Sequence, residues 1–211
     1  MIEDHVMKDM EVTIENTKKI FSTQDDVKYK VTLIRGEPEL KVVIVYIDGM
    51  VKITSVNEDI IRPLNENPVF GSVATLQEAY RAALNGGIYH GNMVVISKME
   101  ELISTLLSGF SIVVFDELKT ALAFETKGFE FRSVAAGQEE NTFKSAKEAF
   151  VENVRVKVSL VRQKLKTRHL AVHEMDVGEK SNTTCSILYM NNICNEEFVN
   201  TVITRIKNIK Q

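Results

Sequence analysis

The sequence contains no tryptophan, three prolines and two cysteines among its 211 residues. Two cysteines, Cys185 and Cys194, are too few for a disulfide framework and favour a reducing compartment in which small thiols are buried. No apolar run approaches the roughly 20 residues that cross a bilayer. The first residues are acidic and lack the basic start and apolar centre of a signal peptide. As given, the chain is expected to be a soluble intracellular protein or a piece of one.

Charge and motif content exclude several common functions. The net charge is −3 and the pI about 5.9, so the molecule as a whole is not a basic nucleic-acid binder. The sequence contains no phosphate-binding loop, dinucleotide fingerprint, nucleophile elbow or zinc-protease motif. The richest glycine cluster, at positions 85–91, has no lysine and no following helix, so it is interpreted as a loop.

Metal and catalytic sites are not predicted. His169 and His173 would share one face of a strand, and with Cys185 and Cys194 they could be imagined as zinc ligands, but their spacing fits no usual zinc pattern. Nothing in the sequence brings a cysteine to a histidine for nucleophilic catalysis. Asp48 ends a buried strand, where ligands bind in α/β sheets, although Asp-Gly is also an ordinary turn. We therefore expect no metal, no cofactor and no catalytic residue, and keep Asp48 as a candidate ligand residue.

Hydrophobic periodicity predicts alternating helices and strands. A strand that is β-branched almost throughout, at 41–47, is expected at the centre of a sheet with both faces covered. A short helix at 57–64 is expected to start near Ser55 and to stop at Pro63 or soon after it. The other predicted strands are 27–34, 94–96, 111–115, 120–124, 129–134 (an edge strand), 170–175 and 185–190. The other predicted helices are 9–22, 76–84, 98–107 and 196–207.

The best-patterned element is a long helix at 146–166. Ser145 and Glu148 form a capping box at its start. Two stripes run along it, and the apolar one is expected to face the core while the basic one faces solvent. The apolar stripe comprises Phe150, Val154, Val158, Val161 and Leu165. The second stripe comprises Glu152, Arg155, Ser159, Arg162 and Lys166. A solvated basic face, a specific anion site, an anionic membrane surface and an acidic partner all fit these charges.

An internal repeat is predicted at an offset of 143 residues. Ile44 then meets Ile187, Tyr46 meets Tyr189, and the order of helices and strands agrees. We therefore predict an α/β fold with mixed sheets, composed of two small related lobes. The first lobe is placed at 1–70, an irregular linker at 71–91, and the second lobe, including the long helix, at 92–211.

The long helix also carries a recognisable motif. Its residues Glu148, Phe150, Glu152, Asn153, Arg155, Ser159, Leu160 and Arg162 resemble a hallmark of bacterial spore germination receptors, the A subunits of the GerA family. Further similar features follow in the same order along nearly the whole chain. They are Asn16 to Phe21, Asp25-Asp26-Val27, Tyr46 to Gly49, Gly109 to Phe115, and Gly178 before Tyr189.

The resemblance implies a non-enzymatic component of a nutrient receptor in the spore inner membrane. Family A subunits continue into membrane-spanning helices that this chain lacks, which implies the N-terminal soluble domain, on the cytoplasmic (spore core) side. Implied partners are a membrane-embedded B subunit, a lipoprotein C subunit, other A subunits and a small nutrient such as an amino acid or sugar. The domain would take part in nutrient sensing, in signal transmission to the membrane part, or in both.

The residues expected to make ligand or interface contacts are Asp48, Glu152, Asn153, Arg155 and Arg162. Two other functions stay open. One is an enzyme that binds a small anionic substrate between Arg155 and Arg162, although no nucleophile or acid–base pair accompanies them. The other is a nucleic-acid-binding module built on the basic helix. That reading lacks the stacking aromatics of such surfaces, so no nucleic-acid partner is expected.

Overall fold

The computed structural model of the chain describes residues 9–88, 91–128 and 154–209. Within these ranges the strands form two antiparallel sheets. The larger sheet has five strands in the order β1-β2-β4-β5-β3, and the smaller pairs β6 with β7. The strands are β1 (Val27–Leu33), β2 (Lys41–Ile47), β3 (Met93–Ile96), β4 (Ser111–Phe115), β5 (Thr120–Phe124), β6 (Leu170–Val177) and β7 (Thr183–Met190).

The five-stranded sheet is covered on both faces, because its central strands are apolar on both sides. In β2, Val43 and Val45 point into one hydrophobic cluster while Val42 and Ile44 point into another. All five residues of β4 are buried. The prediction that 41–47 is a central strand is therefore confirmed, as is the hairpin between β4 and β5.

Two helices lie on the first face of this sheet and helical segments cover the second. The first cluster includes buried residues of α1 (Ile14–Ile20) and α4 (Met99–Leu106). The second includes residues of α2 (53–66) and of α3 (Leu76–Ala82). Helix α2 is continuous through three segments, which are Ile53–Ser55, a π-helical turn at Val56–Ile61, and Arg62–Glu66.

The end of α2 agrees with the sequence-based prediction. The helix ends at Glu66, three residues after Pro63. Proline removes one helical hydrogen bond and crowds the carbonyl four residues before it. The π-helical turn immediately before Arg62 widens the backbone there, and Ile60 and Leu64 stay fully buried on the same core face. Burial of this apolar face keeps the helix together across the proline.

The predicted linker at 71–91 needs correction. Strand β2, from the predicted first lobe, pairs with β4, from the predicted second lobe, so one sheet spans the proposed boundary. The described part of the linker packs against that sheet, because Leu76, Ala79, Ala83 and Ile88 are buried in its second cluster. The helix predicted at 76–84 within this linker is confirmed as α3, and the apolar residues of the stretch are spaced to cover a sheet face.

The two-stranded sheet belongs to a separate α/β unit at the C-terminal end. Helix α5 (Val154–Lys164) precedes β6, and α6 (Glu196–Lys207) follows β7. The bounds predicted for α6 are confirmed at both ends, and its N-cap Asn195 accepts hydrogen bonds from Glu197 N and Phe198 N. The predicted edge strand 129–134 and the first residues of the long helix lie outside the described residues.

The internal repeat is visible in the backbone. Strands β1 and β2 pair with Val27 opposite Ile47, and β6 and β7 pair with Leu170 opposite Met190. Leu170 lies 143 positions after Val27, and Met190 lies 143 positions after Ile47, so the two hairpins share one register. Helices α2 and α6 begin at Ile53 and Glu196, which differ by the same offset. We call 14–66 the N-terminal repeat and 154–209 the C-terminal repeat.

Backbone hydrogen bonds around the hairpins repeat as well. Asp48 N donates to Asp26 O at 2.8 Å, and Asn191 N donates to His169 O at 2.9 Å. At the helix starts, Val56 N donates to Lys52 O at 3.2 Å and Val199 N donates to Asn195 O at 3.1 Å. Each pair of bonds is related by the offset of 143. The helix–strand–strand–helix unit is therefore present twice, and β3, β4 and β5 lie between the copies.

Candidate functional site

The two repeats meet at residues 23–26, which we call the junction segment. Asp25 N donates to Val172 O at 2.8 Å and Val172 N donates to Thr23 O at 3.0 Å, which makes a short parallel bridge to β6. The side chain of Gln24, 3% exposed, donates from Nε2 to Arg168 O at 2.7 Å. The segment just before β1 thus acts as an additional short strand beside the C-terminal sheet.

A buried ion pair fixes helix α5 to the junction segment. Arg162 donates from Nε and from Nη2 to the two carboxylate oxygens of Asp26, both at 2.6 Å. The side chains are 1% and 2% exposed. The remaining nitrogen, Nη1, is buried without a hydrogen-bond partner among the described residues. A two-pronged contact of this kind sets the orientation of the guanidinium as well as its position.

A second contact joins α5 to the turn after β2. Arg155 Nη1 lies 3.3 Å from the carboxylate of Asp48, with the arginine side chain 60% exposed. Beside it, Gly49 has a φ of +81°, and a Cβ at that position would lie 3.1 Å from the Arg155 carbonyl oxygen and 3.4 Å from Ser159 Cβ. The backbone of α5 therefore lies directly against this turn, where glycine provides both the conformation and the space.

The geometry explains why the helix carries arginines seven residues apart. Asp26 and Asp48 follow the register of the hairpin and lie opposite each other, just before β1 and just after β2, joined by a backbone hydrogen bond. Seven residues are about two turns of helix, or roughly 10 Å. Arg155 and Arg162 can then reach both carboxylates from one side of α5. Each arginine compensates a negative charge that would otherwise face its neighbour across the strand ends.

The orientation of α5 corrects the sequence-based prediction. Val158 of the apolar stripe is 3% exposed, but Val161 and Leu165 of that stripe are 36% and 45% exposed. In the polar stripe, which was expected to face solvent, Ser159 and Arg162 are buried. The helix turns its arginine side inward because Asp26, 136 residues earlier, supplies a paired charge there.

The predicted contact residues have different positions. Asp48, Arg155 and Arg162 lie at the contact between the repeats, whereas Glu152 and Asn153 lie outside the described residues. Their assignment to ligand or subunit contacts stays a prediction. The sequence-based set omitted Asp26, although Asp25-Asp26-Val27 stands among the features shared with the GerA family. An acidic pair directly before a predicted strand was the available signal.

A cleft of about 340 Å³ opens beside the junction segment. Residues of both repeats line it, and they include hydroxyl, amide and charged groups. These residues are Lys19, Ile20, Ser22, Thr23, Arg168, Tyr189, Asn191, Cys194, Glu196, Val199 and Asn200. Its size is at the lower end of the range of ligand pockets in proteins, about 300–1,000 Å³.

Asn191 connects the two walls of this cleft. It donates from Nδ2 to Thr23 Oγ1 at 3.2 Å, and its Oδ1 lies 3.2 Å from His169 Nδ1. Burial, together with the nearby negative charge of Glu196, raises the pKa of Tyr189. The phenol therefore remains a neutral group that can donate a hydrogen bond at physiological pH. The cleft suits a small polar molecule with hydrogen-bonding groups.

The histidines and cysteines considered for metal binding are separate in the structure. His173 Nδ1 lies 3.1 Å from the Asp25 carboxylate, and His169 contacts Asn191 instead. Cys185 and Cys194 are free thiols. Among the residues that the structure describes, no cluster of three or more potential metal ligands occurs. Within those same ranges, no helix combines the length and apolar character needed to cross a bilayer.

Comparison with known proteins gives a family. The model of the family described as Bacillus/Clostridium GerA spore germination protein matches residues 15–211. Spore germination protein B1 of Bacillus subtilis (strain 168) is 25% identical over 201 residues, which cover 95% of this chain and 40% of the relative. Spore germination protein KA of the same organism is 25% identical over 196 residues, which cover 93% of this chain and 35% of the relative. The chain thus spans well under half the length of these relatives.

A solved structure has the same fold. The crystal structure of the N-terminal domain of the A subunit of the Bacillus megaterium spore germinant receptor GerK3 superposes with a TM-score of 0.69. The match covers 95% of this chain and 73% of that one, at 21% sequence identity. The mixed helices and antiparallel sheets described above therefore recur in an experimental structure.

Proposed function

Because this chain belongs to the Bacillus/Clostridium GerA family of spore germination proteins, we propose that it acts as the N-terminal part of a germinant receptor A subunit. In this role it senses a nutrient, transmits a signal towards the membrane part of the receptor, or does both. The family consists of germination proteins and is not a known class of enzymes. A non-enzymatic role also agrees with the absence of recognised catalytic motifs in the sequence.

The observation that carries the proposal is where the family-like motifs meet. Asp26 comes from one motif, Asp48 and Gly49 from a second, and Arg155 and Arg162 from the motif of the long helix. These separate stretches of sequence converge on one contact between the repeats. A signalling module needs a defined relation between its parts that a ligand or a partner can change. The contact between α5 and the strand ends of β1 and β2 provides such a relation.

The cleft beside the junction segment supports a sensing role. Both repeats contribute to its walls, so a molecule bound there would have different contacts if the repeats moved relative to each other. A ligand shifts a conformational equilibrium only by the difference in its affinity for the two states. A small nutrient, such as an amino acid or a sugar, has the size and the hydrogen-bonding groups that this cleft accommodates.

The proposal extends to the setting of the full-length protein. The partners are receptor B and C subunits and other A subunits, and the receptor lies in the spore inner membrane. The present chain then faces the cytoplasmic (spore core) side. The germination proteins and the receptor domain that match this chain support such an assembly through their family membership.

Germination assays on spores test the proposal. Deleting the gene that carries this chain from its native host should slow the loss of optical density in response to at least one nutrient, and returning the gene should restore the response. A nutrient whose response does not depend on the gene serves as the control within the same spores. Unchanged kinetics for every nutrient in a broad panel of amino acids, sugars and nucleosides would rule the function out.

A second experiment separates sensing from transmission. Amide signals of the 211-residue chain are recorded by NMR during the addition of nutrients at millimolar concentration. The nutrients used are those whose germination response depends on the gene. Sensing predicts shifts at Thr23, Asn191 and Asn200 that disappear when Asn200→Trp fills the cleft. The matched control is Asn208→Trp, an exposed position just past the end of α6 and outside the cleft. If no nutrient shifts any signal, the chain transmits or assembles and does not sense.

A further inference from the structure

The outward side of α5 combines lysines with aliphatic residues. Leu160, Val161 and Leu165 are 42%, 36% and 45% exposed, and Lys157 and Lys164 are exposed as well. Positions i, i+3, i+4, i+7 and i+8 lie on one side of a helix. We call these five residues the lysine–leucine face. It lies opposite the side that holds Arg162, so the ion pair with Asp26 fixes which way this face points.

The sequence of α5 and of the residues just after it is basic. Residues 154–168 contain six lysines and arginines and no aspartate or glutamate. Two of the six, Arg155 and Arg162, turn towards carboxylates of the N-terminal repeat. Lys157, Lys164 and Lys166 are exposed on the outside of α5 or at its end. A partner of this surface must therefore be negatively charged and must also accept aliphatic side chains.

Two classes of partner have that chemistry, an acidic protein and an anionic membrane surface, and the residue types of the face distinguish between them. Protein–protein interfaces are enriched in aromatic residues, methionine and arginine and depleted of lysine. The lysine–leucine face contains none of the enriched types and two lysines. A helix side that mixes lysine with aliphatic residues is typical of helices that lie on a membrane surface. There, lysine stems follow the apolar boundary while the ammonium groups reach the phosphates of the lipid headgroups.

We propose that the lysine–leucine face of α5 docks on the surface of an anionic lipid bilayer. The contact is peripheral and reversible, because three partly exposed aliphatic side chains and a few lysines give only modest affinity. It places the outer side of α5 next to lipid. The proposal goes beyond the function above and does not depend on it, since lipid binding is measured without any nutrient.

Vesicle co-sedimentation tests the docking. The 211-residue chain is mixed with vesicles of phosphatidylcholine, or with vesicles in which half of the lipid is replaced by phosphatidylglycerol, at low salt and at high salt. Binding is expected only to the phosphatidylglycerol vesicles. It should weaken steeply with salt, because the screening length falls from about 30 Å at 0.01 M to about 8 Å at 0.15 M salt. Equal binding to both kinds of vesicle, or to neither, would overturn the proposal.

Charge variants show whether this face makes the contact. Lys157→Gln with Lys164→Gln should weaken binding by roughly 30-fold, which corresponds to about 1 kcal/mol for each lysine near an anionic surface. Lys157→Arg with Lys164→Arg should keep it, because a headgroup phosphate binds either cation. The matched control is Lys30→Gln with Lys41→Gln, which removes the same charge from exposed positions of β1 and β2. Loss of binding in the control to the same extent contradicts a specific face.

Two further measurements address other occupants of the face. Sedimentation velocity of the chain and of the double glutamine variant reports self-association, and a dimer that the variant abolishes would assign the face to a second copy. Polyglutamate at the same salt serves as a probe for an acidic protein. Binding to polyglutamate, without binding to phosphatidylglycerol vesicles, would assign the face to such a protein. Either result overturns docking on lipid.

Discussion

Arg162 and Asp26 form a bidentate, almost fully buried ion pair across 136 positions of sequence. The pair joins the last helix before β6 to the first residue before β1, and so connects the two copies of the repeat. Burial removes both charges from water, which costs several kcal/mol per ion, and the attraction between the partners offsets this cost. The two side chains therefore depend on each other more than most contacts of the fold.

Removing one partner of this pair is expected to be strongly destabilising. Asp26→Ala or Arg162→Ala should lower the free energy of unfolding by about 3–5 kcal/mol, because each leaves an unpaired buried charge. Replacing both, as Asp26→Leu with Arg162→Met, should cost clearly less than the sum of the single changes. Urea unfolding followed by circular dichroism measures these values.

The exposed pair nearby provides the control. Arg155→Ala removes an ion pair whose arginine is 60% exposed, so its effect should stay within about 1 kcal/mol. Equal losses for Arg155→Ala and Arg162→Ala would show that burial does not decide the strength of these contacts.

The close approach of α5 to the turn after β2 gives a second prediction. Gly49 and Gly36 have nearly the same left-handed backbone, with φ of +81° and +79°. A Cβ at Gly36, however, would meet no atom of the described residues within 4 Å. Gly36→Ala should therefore cost only the conformational term, about 1–2 kcal/mol. Gly49→Ala should cost more, because the new methyl group meets the Arg155 carbonyl oxygen. The difference between their unfolding free energies measures the packing of α5, and a difference of zero would mean that the helix moves away freely.

A third prediction concerns alkaline pH. Burial raises the pKa of Tyr29 well above its ordinary value of about 10, and its hydroxyl has no hydrogen-bond partner among the described residues. As the pH rises above about 10, the unfolded chain loses this proton while the folded chain keeps it, so stability falls with pH. Tyr29→Phe should reduce that fall and should be neutral or slightly stabilising at pH 7, because it removes an unsatisfied buried group.

Unfolding midpoints in urea between about pH 8 and pH 11 measure this effect. Some decline should remain in the variant, because burial also raises the pKa of Tyr46 and of Tyr189. An identical slope for the parent chain and for Tyr29→Phe would contradict the assignment to Tyr29.

Local patterns predicted most elements of the fold. Short apolar runs and alternating patterns located all seven described strands, and amphipathic spacing placed α6 at its observed bounds. The repeat at an offset of 143 was also visible in sequence, and the common register of the two hairpins supports it. These features depend on residues close together in the chain or on a constant spacing.

Features that depend on distant partners were predicted less well. Nothing local indicates that β2 pairs with β4, so the sequence suggested a boundary where one sheet is continuous. The prediction of which side of α5 faces inward was wrong for the same reason, since Arg162 is buried only because it pairs with Asp26. Spacing and resemblance indicated Asp48, Arg155 and Arg162 as contact residues. Asp26 was omitted, because an acidic pair before a strand does not by itself show which distant residue it meets.

The common register of the hairpins also bears on the order in which the chain folds. Val27 and Ile47 are 20 positions apart, as are Leu170 and Met190, whereas Val43 and its partner Val114 on β4 are 71 apart. Closing a longer loop costs more chain entropy, so local pairings form before distant ones. Amides of both hairpins should gain protection in pulsed hydrogen exchange before those that join β2 to β4. The two copies would then be early folding nuclei, and the central sheet would be completed between them.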